Sequence, residues 1–432
     1  MKTARQVALD LLNKINLNGG YSNIVVDNMV NTASLDSRDS AFATMLVYGV
    51  VERQITLDHI ISKHSSIEIS KIDSSVLQIL RLGIYQLLYM NSVPERAAVN
   101  ESVELSKYIK KGKASGFVNA VLRNCIRDRD NLLNFSEYKD ISERFSLEYS
   151  CPLWLVKLWV RDYGEERTER FLQSSLGQAP TFARVNTLKT DTKGLIDTLR
   201  LEGIEAIEHE LENCVVLKTP SMAIKSNAFK NGLFHVQDLA SQICVKYADV
   251  KPNTTVIDVC SAPGGKAFTA AEYMNNEGKL LAFDLHEKRV NLIRDGAKRL
   301  GITCIDAKAG DATVYNEDIP LADTVLCDVV CSGLGVIRRK PETKYKNPND
   351  IKRLPEIQLK ILKNASKYVK IGGSIVYSTC TVSREENENV VEAFLKENEN
   401  FDFYYEKEKC ITLFGNDNNS DGFFMCKCKR LR

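Results

Sequence analysis

TTVIDVCSAPGGK, residues 254–266, passes from an apolar strand through a glycine turn into a helix. Val256, Ile257 and Val259 form an apolar run as long as a buried parallel strand. The run breaks at Ser261-Ala262-Pro263-Gly264-Gly265-Lys266, and a helical pattern resumes from Ala267 to Met274. Strand, tight turn and helix N-terminus together make a geometry that binds an anionic or nucleotide-like ligand. The two glycines let such a ligand approach the backbone without meeting a Cβ. A Walker loop is excluded, because Cys260 and Ala267 stand where it needs Gly and Ser or Thr. The dinucleotide pattern G-x-G-x-x-G is also absent.

Downstream of this turn, strands and helices alternate, which predicts a doubly wound parallel sheet from about residue 234 onward. The expected strands are Lys279 to Leu285, Cys304 to Ala309, Thr324 to Val330 and Ser374 to Ser378. Helices are expected over Glu287 to Leu300 and Pro355 to Val369. Another should open at Ser383 as its cap, with Glu385 and Glu386 in its first turn. Ligands of open α/β sheets bind beyond the carboxyl ends of the strands. That rule gathers the 261–266 loop, Asp284, Asp311, Asp328, Cys331 and Cys380 at one edge. Asp284 lies near the ~20-residue spacing at which an acid takes a ribose hydroxyl. Helix capping is the plain alternative for each Asp, but acids ending three successive strands favour a site.

Upstream, residues 1–130 read as all helix. Ala4, Val7, Ala8, Leu11, Leu12 and Ile15 share one face, and further helices are expected near 38–63, 74–90, 94–110 and 115–127. Val76 to Met90 is apolar nearly all round and should be the buried centre of a bundle. Residues 131–233 mix strands at 182–186 and 215–217 with a helix at 193–201. They form a small α+β piece of their own or an extension of the next sheet; the pattern leaves both open. Residues 234–432 complete the chain as the α/β domain.

The chain has 432 residues, 44% of them hydrophobic and 26% charged, which describes a globular protein of two or three domains. No apolar run approaches ~18 residues, so no membrane span is expected. The N-terminus lacks a signal-peptide core, so a cytoplasmic protein is expected. Twelve cysteines and five histidines show no metal-ligand spacing; a metal is not expected, and the thiols should be reduced. Net charge is only +2, yet seven basic residues crowd between Arg338 and Arg353. A second group runs from Lys107 through Lys110, Lys111, Lys113, Arg123 and Arg127 to Arg129. Both are candidate contacts for a phosphate backbone.

The missing glycine fingerprint argues against NAD, and a nucleoside with a short charged tail fits better. S-adenosylmethionine is the commonest such ligand. Cys331 and Cys380 then suggest the substrate. Carbon 5 of a pyrimidine is a poor nucleophile, but a thiolate adding at carbon 6 makes the ring enamine-like and able to attack a methyl group. An acid such as Asp328 near ring nitrogen 3 would stabilise the developing charge. A thiol with pKa ~8.5 needs a nearby cation, for which Lys266 is placed. The residues alone do not choose between the two cysteines.

Ser261 to Lys266, Asp328-Val329-Val330-Cys331-Ser332-Gly333 with Arg338-Arg339-Lys340-Pro341, and Tyr377-Ser378-Thr379-Cys380-Thr381 resemble the Sun/Nop2 family of RNA cytosine-5 methyltransferases. Arg184-Val185-Asn186-Thr187, Gly232-Leu233-Phe234 and Val236-Gln237-Asp238 are similar to further stretches of that family. Gly116 to Arg123 resembles the NusB-type RNA-binding fold. The combination is similar to the bacterial branch that modifies 16S ribosomal RNA, at a cytosine of the 967 type.

The resemblance implies a multidomain chain: an all-α NusB-like domain, then a Rossmann-like α/β methyltransferase domain dependent on S-adenosyl-L-methionine. It implies Cys380 as nucleophile and Cys331 as the residue that assists release. Ser261, Ala262, Pro263, Gly264, Gly265, Lys266, Asp284, Arg289, Asp311 and Asp328 would hold the cofactor. Asp284 would take the ribose and Asp311 the adenine side, while Lys266 and Asp328 face the methionine end and the base. A monomer acting on 16S ribosomal RNA is expected. One departure is Val330, where the family has proline before the cysteine. It is the sole support for a rival reading as a non-catalytic RNA-binding assembly factor. A sister enzyme acting on transfer RNA is the other alternative.

Overall fold

The computed structural model describes residues 2–18, 35–407, 409–415 and 419–432. It contains two compact units, Met1–Gly177 with Lys340–Tyr345, and Gln178–Arg339 with Lys346–Arg432.

The first unit is helical. Its helices are α1 (Ala4–Asn18), α2 (Ser37–Glu52), α3 (Gln54–His64), α4 (Ser74–Tyr89), α5 (Glu95–Tyr108) and α6 (Ser115–Arg127). Helices α7 (Ile141–Glu148), α8 (Leu153–Tyr163) and α9 (Glu165–Ser174) follow. The one helix expected over 38–63 is broken at Arg53. Ser150 Oγ accepts hydrogen bonds from the Ile55 and Thr56 amides at 3.0 and 3.3 Å, capping the second segment from a distant part of the chain. Helix α4 is the buried centre that its apolar sequence predicts, covered at every position from Ile79 to Leu87. Its Arg81 is buried too, and pairs bidentately with Asp58 at 2.6 Å.

The basic group of this unit is less free than its sequence suggests. Lys107, Lys111 and Arg129 are matched by Glu104, Asp73 and Glu95. Lys110, Lys113, Arg123 and Arg127 are exposed and, among the described residues, form no ion pair. The short segment Lys340–Tyr345 belongs to this unit as well. Lys344 is buried there, donates to the Glu52 carbonyl at 2.6 Å, and has its ammonium pushed down to about 8 by burial.

The second unit contains two sheets. In the smaller, β1 (Thr181–Val185), β2 (Ala206–Glu208), β3 (Cys214–Leu217) and β4 (Phe234–Val236) lie antiparallel in the order β2-β3-β1-β4. Helix α10 (Thr192–Leu201) accompanies it. The piece left open by the sequence is thus a sheet of its own, and it takes in residues 234–236.

The larger sheet follows α11 (Leu239–Ala248). Its strands are β5 (Thr255–Asp258), β6 (Lys279–Asp284), β7 (Ile305–Ala309), β8 (Ala322–Asp328), β9 (Val369–Thr379), β10 (Phe401–Phe403), β11 (Cys410–Leu413) and β12 (Phe423–Arg430). The order is β10-β12-β9-β8-β5-β6-β7, with β11 on β12. Strands β5 to β9 pair in parallel, and β12 enters antiparallel beside β9. Helices α12 (Gly265–Tyr273), α13 (Glu287–Leu300), α14 (Leu354–Ser366) and α15 (Glu388–Glu397) connect them. The chain leaves β5 towards β6 and later returns to β5's other side as β8. That reversal opens a crevice between the carboxyl ends of β5 and β8.

One expected helix start is wrong. Ser383 does not cap a helix; residues 384–387 are a turn, and α15 begins at Glu388. Helix propensity loses there because Glu386 and Asn387 are fully buried and make hydrogen bonds inward. Among the described residues, no helix is long and apolar enough to cross a membrane.

Candidate active site

The turn after β5 is shaped by Gly264, which caps α12 at φ 108°; a Cβ there would run into the Phe268 ring. Its amide donates to the Ser261 carbonyl at 2.8 Å, and the Ser261 amide donates to Phe283 of β6 at 2.7 Å. Lys266, on the first turn of α12, reaches the end of β8. Its Nζ donates to Asp328 Oδ2 at 2.8 Å and to Ser241 Oγ at 3.3 Å, and sits 5.1 Å from the centre of the Phe423 ring. Burial is the largest influence and works against its charge, but Asp328, Cys244 and Asp258 together outweigh it and raise the ammonium's pKa. The other oxygen of Asp328 accepts from Ser378 Oγ of β9 at 2.8 Å.

Cys331 and Cys380 end neighbouring loops after β8 and β9, and their sulfurs lie 3.1 Å apart as free thiols. Both are half-buried. The Cys331 thiol is pushed well above its ordinary range by its hydrogen bond with Cys380, by burial, and by the nearby carboxylates of Glu386 and Asp328. Lys266, which the sequence offers as the cation beside the thiol, is committed instead to Asp328.

On the other side of β5, Asp284 ends β6 and is 3% exposed. Arg289 pairs with it at 3.0 Å and also donates to the Ala262 carbonyl at 2.6 Å, tying α13 to the glycine turn. Asp311 stands apart in character. It is exposed, and its carboxylate is folded onto Thr313, accepting from that residue's amide and hydroxyl at 2.8 and 2.7 Å.

The sequence-level reading missed Asp258, Gln358, Glu386 and Asn387. An acid inside an otherwise apolar strand was the available signal for Asp258. It is 1% exposed, and burial, with Asp328 nearby, pushes its carboxyl up to about 7. The folded state therefore holds a proton that the unfolded chain releases above its ordinary 3.8. Stability is lost as pH rises through that window. Asp258→Asn is expected to remove this loss, roughly a few kcal/mol between pH 4 and 8. Urea midpoints of both chains across that range check it; parallel pH profiles would refute it.

The basic run after Cys331 is largely structural. Arg339 bonds Asp421 at 2.8 Å, Asp238 at 2.9 Å and the Pro180 carbonyl at 2.9 Å. Arg338 donates to the Gln178 carbonyl at 2.9 Å and Lys346 to that of Ser332 at 2.6 Å. Lys340, Lys352 and Arg353 remain exposed. Among the described residues, no group of three or more side chains is arranged to hold a metal.

Three family models match this chain. The model described as 16S rRNA methyltransferase RsmB/F covers residues 245–429, and the NusB family covers 2–127. A ferredoxin-like domain of RsmF/B-like methyltransferases covers 151–224. The chain is 37% identical over 99% of both chains to a protein of Bacillus subtilis called probable ribosomal RNA small subunit methyltransferase B. It is 31% identical to the ribosomal RNA small subunit methyltransferase B of Escherichia coli, over 84% of this chain and 83% of that one. The solved structure of PH0851 superposes with a TM-score of 0.79 at 24% identity, over 100% of this chain and 99% of that one, and supports the fold. The chain belongs to the RsmB/F family of 16S rRNA methyltransferases.

Proposed function

We propose that this chain transfers the methyl group of S-adenosylmethionine to carbon 5 of a cytosine in 16S ribosomal RNA, through a covalent bond from Cys380 to carbon 6. The observation that carries the reading is the pair of thiols 3.1 Å apart beside the Lys266–Asp328 pair.

The residues around β5 and β6 suit the cofactor. Gly264 has no Cβ, and Asp284 presents a buried carboxylate beside the turn. S-adenosylmethionine would supply a methyl group on a positively charged sulfur. Asp284 and Arg289 would hold its ribose side and the 261–266 turn its charged tail. Asp284→Ala is expected to weaken S-adenosylmethionine binding by roughly 1.5–3 kcal/mol. Unchanged affinity by calorimetry would reduce Asp284 to a partner of Arg289.

Only a thiolate adds to carbon 6. Cys331, with its pKa raised, stays neutral and does not compete, which favours Cys380 as the attacking group. Asp328, steadied by Lys266 and Ser378, would meet ring nitrogen 3 as charge develops there. In release, Cys380 as a thioether no longer holds the Cys331 proton; Cys331 loses it to water and, as a thiolate, takes the carbon-5 proton, and the carbon–sulfur pair returns to Cys380. The exposed Lys110, Lys113, Arg123 and Arg127 are the helical unit's contacts for the RNA backbone. Bisulfite sequencing of 16S ribosomal RNA from cells with and without the gene tests the whole reading. An unchanged cytosine pattern would sink it.

A further inference from the structure

Glu386 is fully buried, and its carboxylate is surrounded by donors from both thiol loops. Oε2 accepts from the Ser332 amide at 2.8 Å and from Gln358 Nε2 at 2.9 Å. Oε1 accepts from Ser332 Oγ at 2.5 Å and Thr381 Oγ1 at 3.4 Å. Ser332 and Thr381 are the residues that follow Cys331 and Cys380, and their hydroxyls lie 2.8 Å apart. Gln358 also donates to the Val330 carbonyl at 3.0 Å, on the other side of Cys331. Tyr377 holds Glu386's own carbonyl at 2.6 Å. Asn387 completes the knot: it accepts from Thr379 at 2.6 Å and donates to the Thr381 carbonyl at 3.0 Å.

We infer that Glu386 is a positioning residue that sets the spacing of the two thiols, and with it the transfer from attack by Cys380 to release by Cys331. This rests on the covalent reading above. The carboxyl group accepts directly from the Cys331 loop at the Ser332 amide and hydroxyl, and the Thr381 hydroxyl of the Cys380 loop joins it through Ser332 Oγ 2.8 Å away. Leucine cannot do the same, because at similar size it offers no acceptor and strands the Ser332 amide and Gln358 Nε2. The device also answers the loss of the family's proline. Val330 is exposed, and its loop is held through its carbonyl by Gln358, the partner of Glu386. Displacement of a reacting group by about 1 Å costs on the order of 10²-fold in rate.

The test compares the full-length chain with Glu386→Leu in two assays. In the first, diamide oxidises the folded protein; two thiols lose two protons and two electrons to its azo bond, and mass mapping follows the Cys331–Cys380 link. That link should form at least about tenfold more slowly in the variant. The Cys410–Cys426 pair, whose sulfurs are 2.9 Å apart, serves as a control and should be unaffected. In the second, single-turnover methylation is followed on denaturing gels. Adduct decay should slow by roughly 10- to 100-fold, with S-adenosylmethionine affinity unchanged. A merely structural Glu386 would lower the melting temperature and leave both rates intact, which overturns the inference. So would a slowed link with normal adduct decay. Absence of any adduct from Cys331→Ala would overturn the covalent reading itself, whatever the link rates. If Glu386→Leu does not fold, Thr381→Val removes one hydrogen bond of the knot and should slow both processes in the same direction.

Discussion

Cys380→Ala is expected to lose methyl transfer by on the order of 10⁴-fold or more and to leave no RNA bound to protein on a denaturing gel. Without its sulfur no bond to carbon 6 forms, and carbon 5 stays too weak a nucleophile to take the methyl group. Cys331→Ala should fail differently. It retains the attacking thiol, so it methylates once and then stalls, and a band of protein carrying RNA accumulates. The two sulfurs lie 3.1 Å apart on separate loops, close enough to serve one ring and distinct enough for different roles. An adduct in Cys380→Ala and none in Cys331→Ala would reverse the assignment. Full activity in both would end the covalent mechanism.

The second large effect concerns Lys266. Its side chain is 12% exposed, and its ammonium is held between Asp328 and Ser241. Lys266→Met leaves Asp328 without its cation, facing buried Asp258. Asp328 is 30% exposed, so stranding it costs less than the full penalty for a buried pair, roughly 1–3 kcal/mol of stability. Activity should fall as well, by roughly 10²- to 10³-fold, because Asp328 loses the contact that aims it. The double change Lys266→Met with Asp328→Asn separates the two losses. It removes the stranded charge, so urea unfolding should show most of the stability regained, while single-turnover rates stay low. Recovery of both would mean that the pair is purely structural.

The alternation of strand and helix after residue 254 was plain in the sequence, because apolar runs, glycine turns and 3.6-residue periods are local properties of a chain. The placement of Lys266, Asp328, Cys331 and Cys380 at one sheet edge followed from that alternation and one topological rule. The helical character of the first unit and its buried centre at α4 were equally local. Other features depended on partners far away in the chain. Helix α2 stops at Arg53 because Ser150 accepts the next amides. The run from Arg338 to Arg353 looked like a cationic face, yet Arg339 and Lys344 are spent on Asp421 and on the Glu52 carbonyl. Glu386 looked like an acid in a helix's first turn, and only the fold brings Ser332, Gln358 and Thr381 to it. The sequence by itself determined which elements form and which chemistry they carry. The tertiary structure alone decided which charges face solvent and which hold the two thiols together, since the partners of a buried charge are supplied by other segments of the chain.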